Sequence, residues 1–512
     1  MQLRKRAPSC NCTAGFFVVP LHDQNLPAMH LQLRTLRAAS LALTASLSSA
    51  FFAQTPCVDG SADGYQCHGL DLLSVRTLEE IGGGANGNDC WGWVDAESGR
   101  EFVLFGRSNG LSILEVTDPV NPVFLADVPT ATVQSLWRDV KVHANHAFVV
   151  SEAAGHGIQV VDLSQVLTIE AGPVTLNPVG AYLGFGNAHN IVINEETGFA
   201  FGVGTNTAGG GLHAVDISDP TSPEAAGTYD GAYTHDAQVV VYNGPDPAFA
   251  GKELAVCFNG SNGVHIVDVS DKTDMFLVSQ ISYAQSAYTH QGWLSEDHAY
   301  VYFNDELDEQ SFGNGTRTYI ADISDVDNPV VVGFYEALNP AIDHNLYVRG
   351  NKIFASNYLS GLRVSSIGAD GSLSPYAFFD TNPDSDQASF DGTWSNYPYF
   401  PSGNIAISGF THFFMVQDPT FEPADAVRPT ATPLRLSAHP NPSAGTLRLE
   451  GTGRVSSMQL IDLHGHVVQS WGALTAVDGL TLDLGGVAEG VYVLQAQSME
   501  GVVTTVRVVV QR

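Results

Sequence analysis

Short runs rich in β-branched residues, opened by glycine and closed by an acid and a turn, recur along the middle of the chain. The clearest is Gly263 to Ser270 (Gly-Val-His-Ile-Val-Asp-Val-Ser); variants begin at Gly110, Gly157, Gly211 and Arg317, with weaker copies at Gly361 and His412. Their acidic position falls at Glu115, Asp162, Asp216, Asp268 and Asp322, in steps of 47, 54, 52 and 54 residues. A run bounded this way predicts a strand. A strand unit returning every ~40–50 residues predicts a propeller or a similar array. Each unit opens on a polar or aromatic head: Trp91-Gly-Trp, Arg138-Asp, His189-Asn, His235-Asp, His290-Gln, His344-Asn and Trp394-Ser. Seven units of four strands predict an all-β, seven-bladed propeller over residues 54–417. The seventh unit ends after its third strand, His412 to Val416, and an isolated strand near Leu72–Leu78 is expected to supply its fourth, closing the ring.

The pattern changes at both ends. Residues 418–433 hold Pro419, Pro423, Pro429 and Pro433 and predict a stiff linker. Residues 434–512 alternate again, in five strands that predict a small β-sandwich. Residues 1–53 read as an N-terminal extension followed by a secretory signal peptide. Translation is expected to start at Met29, with a basic segment, an apolar run from Ala38 to Ala53 and cleavage after Ala50 or Ala53. That run is too short for a membrane span, and no other candidate follows it.

Charge narrows the partners. The 54 Asp and Glu against 22 Lys and Arg leave a formal net charge of -32, which repels phosphate backbones and anionic lipid. Export to an oxidising compartment makes Cys57 and Cys67 the expected disulfide, while the pairing of Cys90 and Cys257 stays open.

Two resemblances follow from particular residues. The terminal stretches His439-Pro-Asn-Pro-Ser-Ala-Gly, Gln459-Leu-Ile-Asp-Leu-His-Gly-His-Val-Val and Gly490-Val-Tyr-Val-Leu resemble the type IX secretion sorting domain of the Bacteroidetes and their relatives. The predicted signal peptide would take the chain by the Sec translocon to the periplasm, and the resemblance implies passage from there through the outer membrane. The type IX machinery would then carry the chain outward, to be released or attached at the cell surface. The propeller stretches Ser135-Leu-Trp-Arg-Asp-Val, Tyr233-Thr-His-Asp-Ala-Gln, Tyr288-Thr-His-Gln-Gly-Trp and Ile342-Asp-His-Asn-Leu-Tyr resemble the choice-of-anchor B family, built on Leu-Val-Ile-Val-Asp repeats. This second resemblance implies architecture and address and carries no activity.

Four consecutive heads present histidine: His189, His235, His290 and His344. Equivalent positions at the start of innermost strands converge on one mouth of a propeller channel, and neutral imidazole ligates divalent transition metals. Asp139, Asp236 and Asp343 sit beside these heads and are candidates to orient the imidazoles. The same residues also fit a hydrogen-bonded collar with no metal, and the sequence favours that reading. Asp305, Glu306, Asp308 and Glu309 form an acidic stretch that can hold Ca²⁺ but lacks a calcium-loop spacing, so a solvated loop is the expectation. No nucleophile elbow, phosphate loop or metalloprotease motif is present. The functional expectation is a secreted or surface propeller that binds a protein or glycan through one face. Its rival is a metal-binding protein or metal-dependent enzyme working from the histidines.

Overall fold

The computed structural model describes residues 54–422, 435–452, 455–462, 466–471, 479–498 and 503–512. The predicted signal peptide and most of the predicted linker lie outside these residues. Residues 54–422 form seven sheets, each built on four antiparallel neighbouring strands; one gains a fifth strand in parallel pairing and another a two-stranded hairpin. Their innermost strands are Gly87–Val94, Arg138–His143, Asn190–Asn194, Asp236–Val241, Thr289–Leu294, Leu346–Arg349 and Thr393–Tyr397, here defining blades 1 to 7. Each of these strands packs against the next, and the seventh packs against the first, so the ring closes. The strand Asp71–Thr77 pairs with His412–Gln417 as the outer strand of blade 7, which joins the two ends of the propeller as the sequence predicted.

The repeat has a steric reason for its glycine. A Cβ placed at Gly110, Gly157, Gly211, Gly263 or Gly361 would stand 2.1–2.4 Å from a carbonyl oxygen of the blade's fourth strand. Only hydrogen fits there. The repeat's acid has a matching role at the other end of the strand. Asp162, Asp216, Asp268 and Asp322 each accept the backbone N–H two residues on, at 2.8–3.0 Å, and so turn the chain out of the blade. Between these ends the β-branched residues are buried on both faces, packing blade against blade: Val264, Ile266 and Val267 are all fully covered.

Cys57 and Cys67 form the expected disulfide, with Cα atoms 6.0 Å apart, beside a small hairpin that extends blade 6. Among the described residues Cys90 and Cys257 have no disulfide partner; both are buried, on blades 1 and 4. The C-terminal module has two sheets, of three and four strands, around a core that includes Leu447, Leu449, Met458, Leu460, Leu494 and Val508. Among the described residues, no helix is long and apolar enough to cross a membrane.

Candidate metal centre at the channel mouth

The inner strands run in register, so equivalent side chains form layers along the channel. The equivalent head positions are Asn88, Arg138, His189, His235, His290, His344 and Trp394; the four histidines and Trp394 stand together at one mouth, whereas Arg138 turns to His156 and Thr130. The next residue of each blade gives a second layer, Asp89, Asp139, Asn190, Asp236, Gln291, Asn345 and Ser395. In blade 1 this head lies three residues before Trp91-Gly-Trp, because an irregularity in pairing between Gly87 and Cys90 shifts the strand. Trp91 and Trp93 therefore stand deeper than the mouth.

The four predicted histidines stand in a row. Ring centroids are 4.1 Å apart for His189 and His235, 4.4 Å for His235 and His290, and 4.3 Å for His290 and His344. Backbone carbonyls of neighbouring heads orient two of them. His235 Nδ1 lies 3.2 Å from the His290 carbonyl oxygen, and His344 Nδ1 lies 2.5 Å from that of Trp394. With Nδ1–H donating, Nε2 carries the lone pair in each ring. His189 Nδ1 sits 2.6 Å from Glu152 Oε1, and among the described residues His290 Nδ1 has no hydrogen-bond partner.

A carboxylate completes the group. Glu306 Oε1 lies 3.8 Å from both His290 Nε2 and His344 Nε2, and the three ligand atoms lie within 4.8 Å of one another. Tyr358 donates its hydroxyl to the same oxygen at 2.8 Å. Burial holds His235 and His290 well below the usual imidazole range, and the neighbouring imidazoles push the same way. Burial also takes His344 down to about 3. These three rings are therefore neutral near pH 7 and able to ligate. Burial lifts Glu306 to about 7 against the opposing pull of Tyr358 and His189, so a cation at this point would ionise it. Exposure increases toward His189 and Glu152, where Trp137 and Tyr233 stand exposed at the rim. Gly204 backs His189, and a Cβ there would come within 2.5 Å of the histidine's own Cβ.

The three predicted orienting aspartates do not touch the imidazoles. Asp139 accepts from Lys141 Nζ at 2.7 Å and from the Ile191 N–H at 2.9 Å. Asp236 accepts the Ala237 N–H at 2.7 Å. Asp343 faces Asp308 and Glu309. Alternation along the inner strand explains Asp139 and Asp236, which follow a head and point to the layer below; Asp343 precedes its head and turns to the helix that follows blade 5's second strand. The acidic stretch is also not a solvated loop: Asp305, Asp308 and Glu309 are buried. Sequence reading missed Glu152, Tyr358 and the pairing of Glu306 with histidine. A signal was available, since the second strand of each blade runs antiparallel to the first and returns to the same mouth. Glu152, Glu306 and Tyr358 all occupy that return.

Deeper in the channel, Lys141 lies over the Trp91 ring at 4.6 Å. Trp91, Lys141, Trp293 and Tyr347 line a cavity of about 290 Å³ at that end. A larger groove of about 470 Å³, between blades 5 and 6, includes Tyr335, Arg363 and Phe378 and none of the four histidines.

Comparison with known proteins identifies the two modules. Residues 186–231 and 258–282 match the LVIVD repeat, and residues 437–511 match a secretion system C-terminal sorting domain. No curated protein matches the chain. Similar solved structures include PorZ, an essential bacterial surface component of the type-IX secretion system of Porphyromonas gingivalis. It is 14% identical, with 83% of this chain and 59% of that chain covered and a TM-score of 0.41. The Swd1 β-propeller domain of Myceliophteria thermophila is 11% identical, covering 66% and 99%, with a TM-score of 0.44. The WD40 β-propeller domain of Doa1 is 12% identical, covering 69% and 97%, with a TM-score of 0.45. The β-propeller thus carries LVIVD repeats, and the C-terminal module is a type IX secretion sorting domain, which indicates export to the cell surface or the outside.

Proposed function

We propose that this exported propeller binds a divalent first-row transition metal at the channel mouth. Nε2 of His290, Nε2 of His344 and the carboxylate of Glu306 would hold it, with His235 extending the row. One observation carries the reading: two imidazole nitrogens stand 3.8 Å from the same carboxylate oxygen. That separation is too long for a hydrogen bond, as a collar would require, yet two metal–ligand bonds of ~2.0–2.2 Å span it. A bound ion of this kind supplies Lewis acidity at an open coordination position. Tyr358 would fix the carboxylate, and the carbonyls of His290 and Trp394 would fix the rings.

Elemental analysis of the purified chain tests this, with His290→Ala and Glu306→Gln alongside. About one equivalent of metal in the native chain, lost in both folded variants, is expected. A metal-free native chain that binds no added transition metal refutes the reading.

A second reading places a glycan or protein partner at the other end of the channel, favoured by the aromatic cavity around Trp91, Trp293 and Tyr347. Aromatic faces of this kind stack on sugar rings. Glycan-array binding that disappears in Trp293→Ala would support it, and unchanged binding would remove it.

A further inference from the structure

The acidic stretch after the second strand of blade 5 serves separate places. The Asp305 carboxylate is fully engaged, accepting from Tyr283 Oη, the Ala287 N–H and the Tyr288 N–H, each at 2.7 Å. Glu306 turns to the imidazoles. Asp308 and Glu309 begin a short helix, Asp308–Phe312, and face a different buried space. There they meet Asp343, which arrives from the segment entering blade 6. Ligand oxygens of the three residues lie within 4.8 Å of one another, and the residues are 0%, 4% and 2% exposed.

Hydrogen bonds account for only part of this group. Tyr319 donates to Asp308 Oδ2 at 2.7 Å, and the Asp343 N–H donates to Glu309 Oε1 at 3.3 Å. Among the described residues, Asp308 Oδ1, Glu309 Oε2 and both carboxylate oxygens of Asp343 have no hydrogen-bond partner. Asp343 decides the matter. It is almost completely buried, neither oxygen of its carboxylate is hydrogen-bonded among the described residues, and it comes from a segment separate from the helix, so helix geometry does not account for its placement. Orphaned carboxylate oxygens at this depth are costly unless a proton or a cation joins them. Among the described residues, no lysine or arginine is bonded to them. Arg317, whose charge reaches Asp308, is bonded instead to Glu336 and Gln285.

We infer that Asp308, Glu309 and Asp343 form a second cation site, distinct from the imidazole site, that takes a hard divalent cation of the calcium class. The donor set is all oxygen, which such ions prefer over imidazole-binding metals. Filling the site clamps the exit of blade 5 to the entry of blade 6. It also anchors the backbone next to His344.

The test uses the full exported chain, stripped with chelator and titrated with Ca²⁺ alone by calorimetry and thermal unfolding. One equivalent of Ca²⁺ should bind and raise the melting temperature. Glu309→Gln and Asp343→Asn should each weaken binding ~10-fold or more, the equivalent of ~1.4 kcal/mol. Each should also melt higher than the native chain when both are stripped, because a neutral amide replaces a buried acid that folding must hold uncompensated; a folding defect would lower it. His290→Ala should keep its calcium affinity while losing any transition metal, which separates this site from the proposed metal centre. No Ca²⁺ binding by the folded native chain overturns the inference, as does equal affinity in Glu309→Gln or loss of calcium in His290→Ala. Should Asp343→Asn not fold, Glu309→Gln decides.

Discussion

Replacing Lys141 with methionine should be among the most damaging single changes in the propeller. Lys141 is the cation among three buried acids of the second channel layer, Asp89, Asp139 and Asp236. It donates to Asp139 Oδ1 at 2.7 Å and caps the Trp91 ring. Burial alone would push the lysine pKa down, yet the three acids raise it. Burial and Asp139 lift Asp89 to about 7, and burial lifts Asp236 well above the carboxylate range; Lys141 opposes both shifts. Methionine keeps most of the volume and removes only the charge. Breaking a buried pair by deleting one partner costs ~3–5 kcal/mol, because the remaining charge stays buried. Protonation limits that loss. Without Lys141 the folded-state pKa of Asp89 rises above its present value, so at pH 6 the acid takes a proton and at pH 8 it is still pressed to ionise. The cost should therefore grow with pH, by up to ~1.4 kcal/mol per unit for each proton held. Chemical denaturation of the native chain, Lys141→Met and Lys141→Met/Asp139→Asn at pH 6 and pH 8 measures this. The single variant should lose ~3–5 kcal/mol at pH 8 and less at pH 6, and the double variant should regain part of it. A loss below ~1 kcal/mol at pH 8, or one independent of pH, would refute the view of Lys141 as the counter-charge of the channel.

Gly263→Ala should destabilise the chain by ~1–3 kcal/mol more than Gly99→Ala. Both glycines have φ near +70°, but a Cβ at Gly263 would meet the Ile281 carbonyl oxygen at 2.3 Å and one at Gly99 would meet nothing; equal losses would show that backbone conformation, not the fourth strand, fixes the repeat glycine. The chelator-stripped chain should lose stability from pH 7 to pH 9. Burial, then Asp308, lifts Glu309 to about 9, so its contribution is complete below the ordinary carboxylate range and disappears as pH rises through that value, at up to ~1.4 kcal/mol per unit. Stability that is flat or rising over this window in thermal melts would contradict the burial of an uncompensated acid there.

Much of the fold was legible because its constraints are local and repeated. A glycine forced by a nearby carbonyl, a β-branched strand and an aspartate turned onto its own backbone leave the same trace in blade after blade. The closing strand at Asp71–Thr77 was legible too, as the one strand with no repeat partner. Blade 1 was misphased for a physical reason. Its Trp91-Gly-Trp looks like the aromatic heads elsewhere, but the pairing irregularity after Gly87 moves the true head to Asn88. Periodicity cannot register an irregularity inside the strand that carries it.

The site was half legible, and the division follows chain geometry. The histidines share one strand position, so spacing alone brings them to the mouth. Glu306 reaches the same mouth from a second strand running the opposite way, at an offset that depends on hairpin length, and those lengths differ between blades. Read along the chain, Glu306 belongs with Asp305, Asp308 and Glu309 as one acidic loop. Folded, these four neighbours separate: Asp305 onto backbone N–H groups, Glu306 toward imidazoles, and Asp308 with Glu309 toward Asp343. Likewise Asp343 and His344 are adjacent in sequence and face different clusters. Sequence proximity of acids therefore says little about shared chemistry in this ring. What counts is which strand ends meet at a mouth, and that is set by the direction of each hairpin before the identity of any side chain.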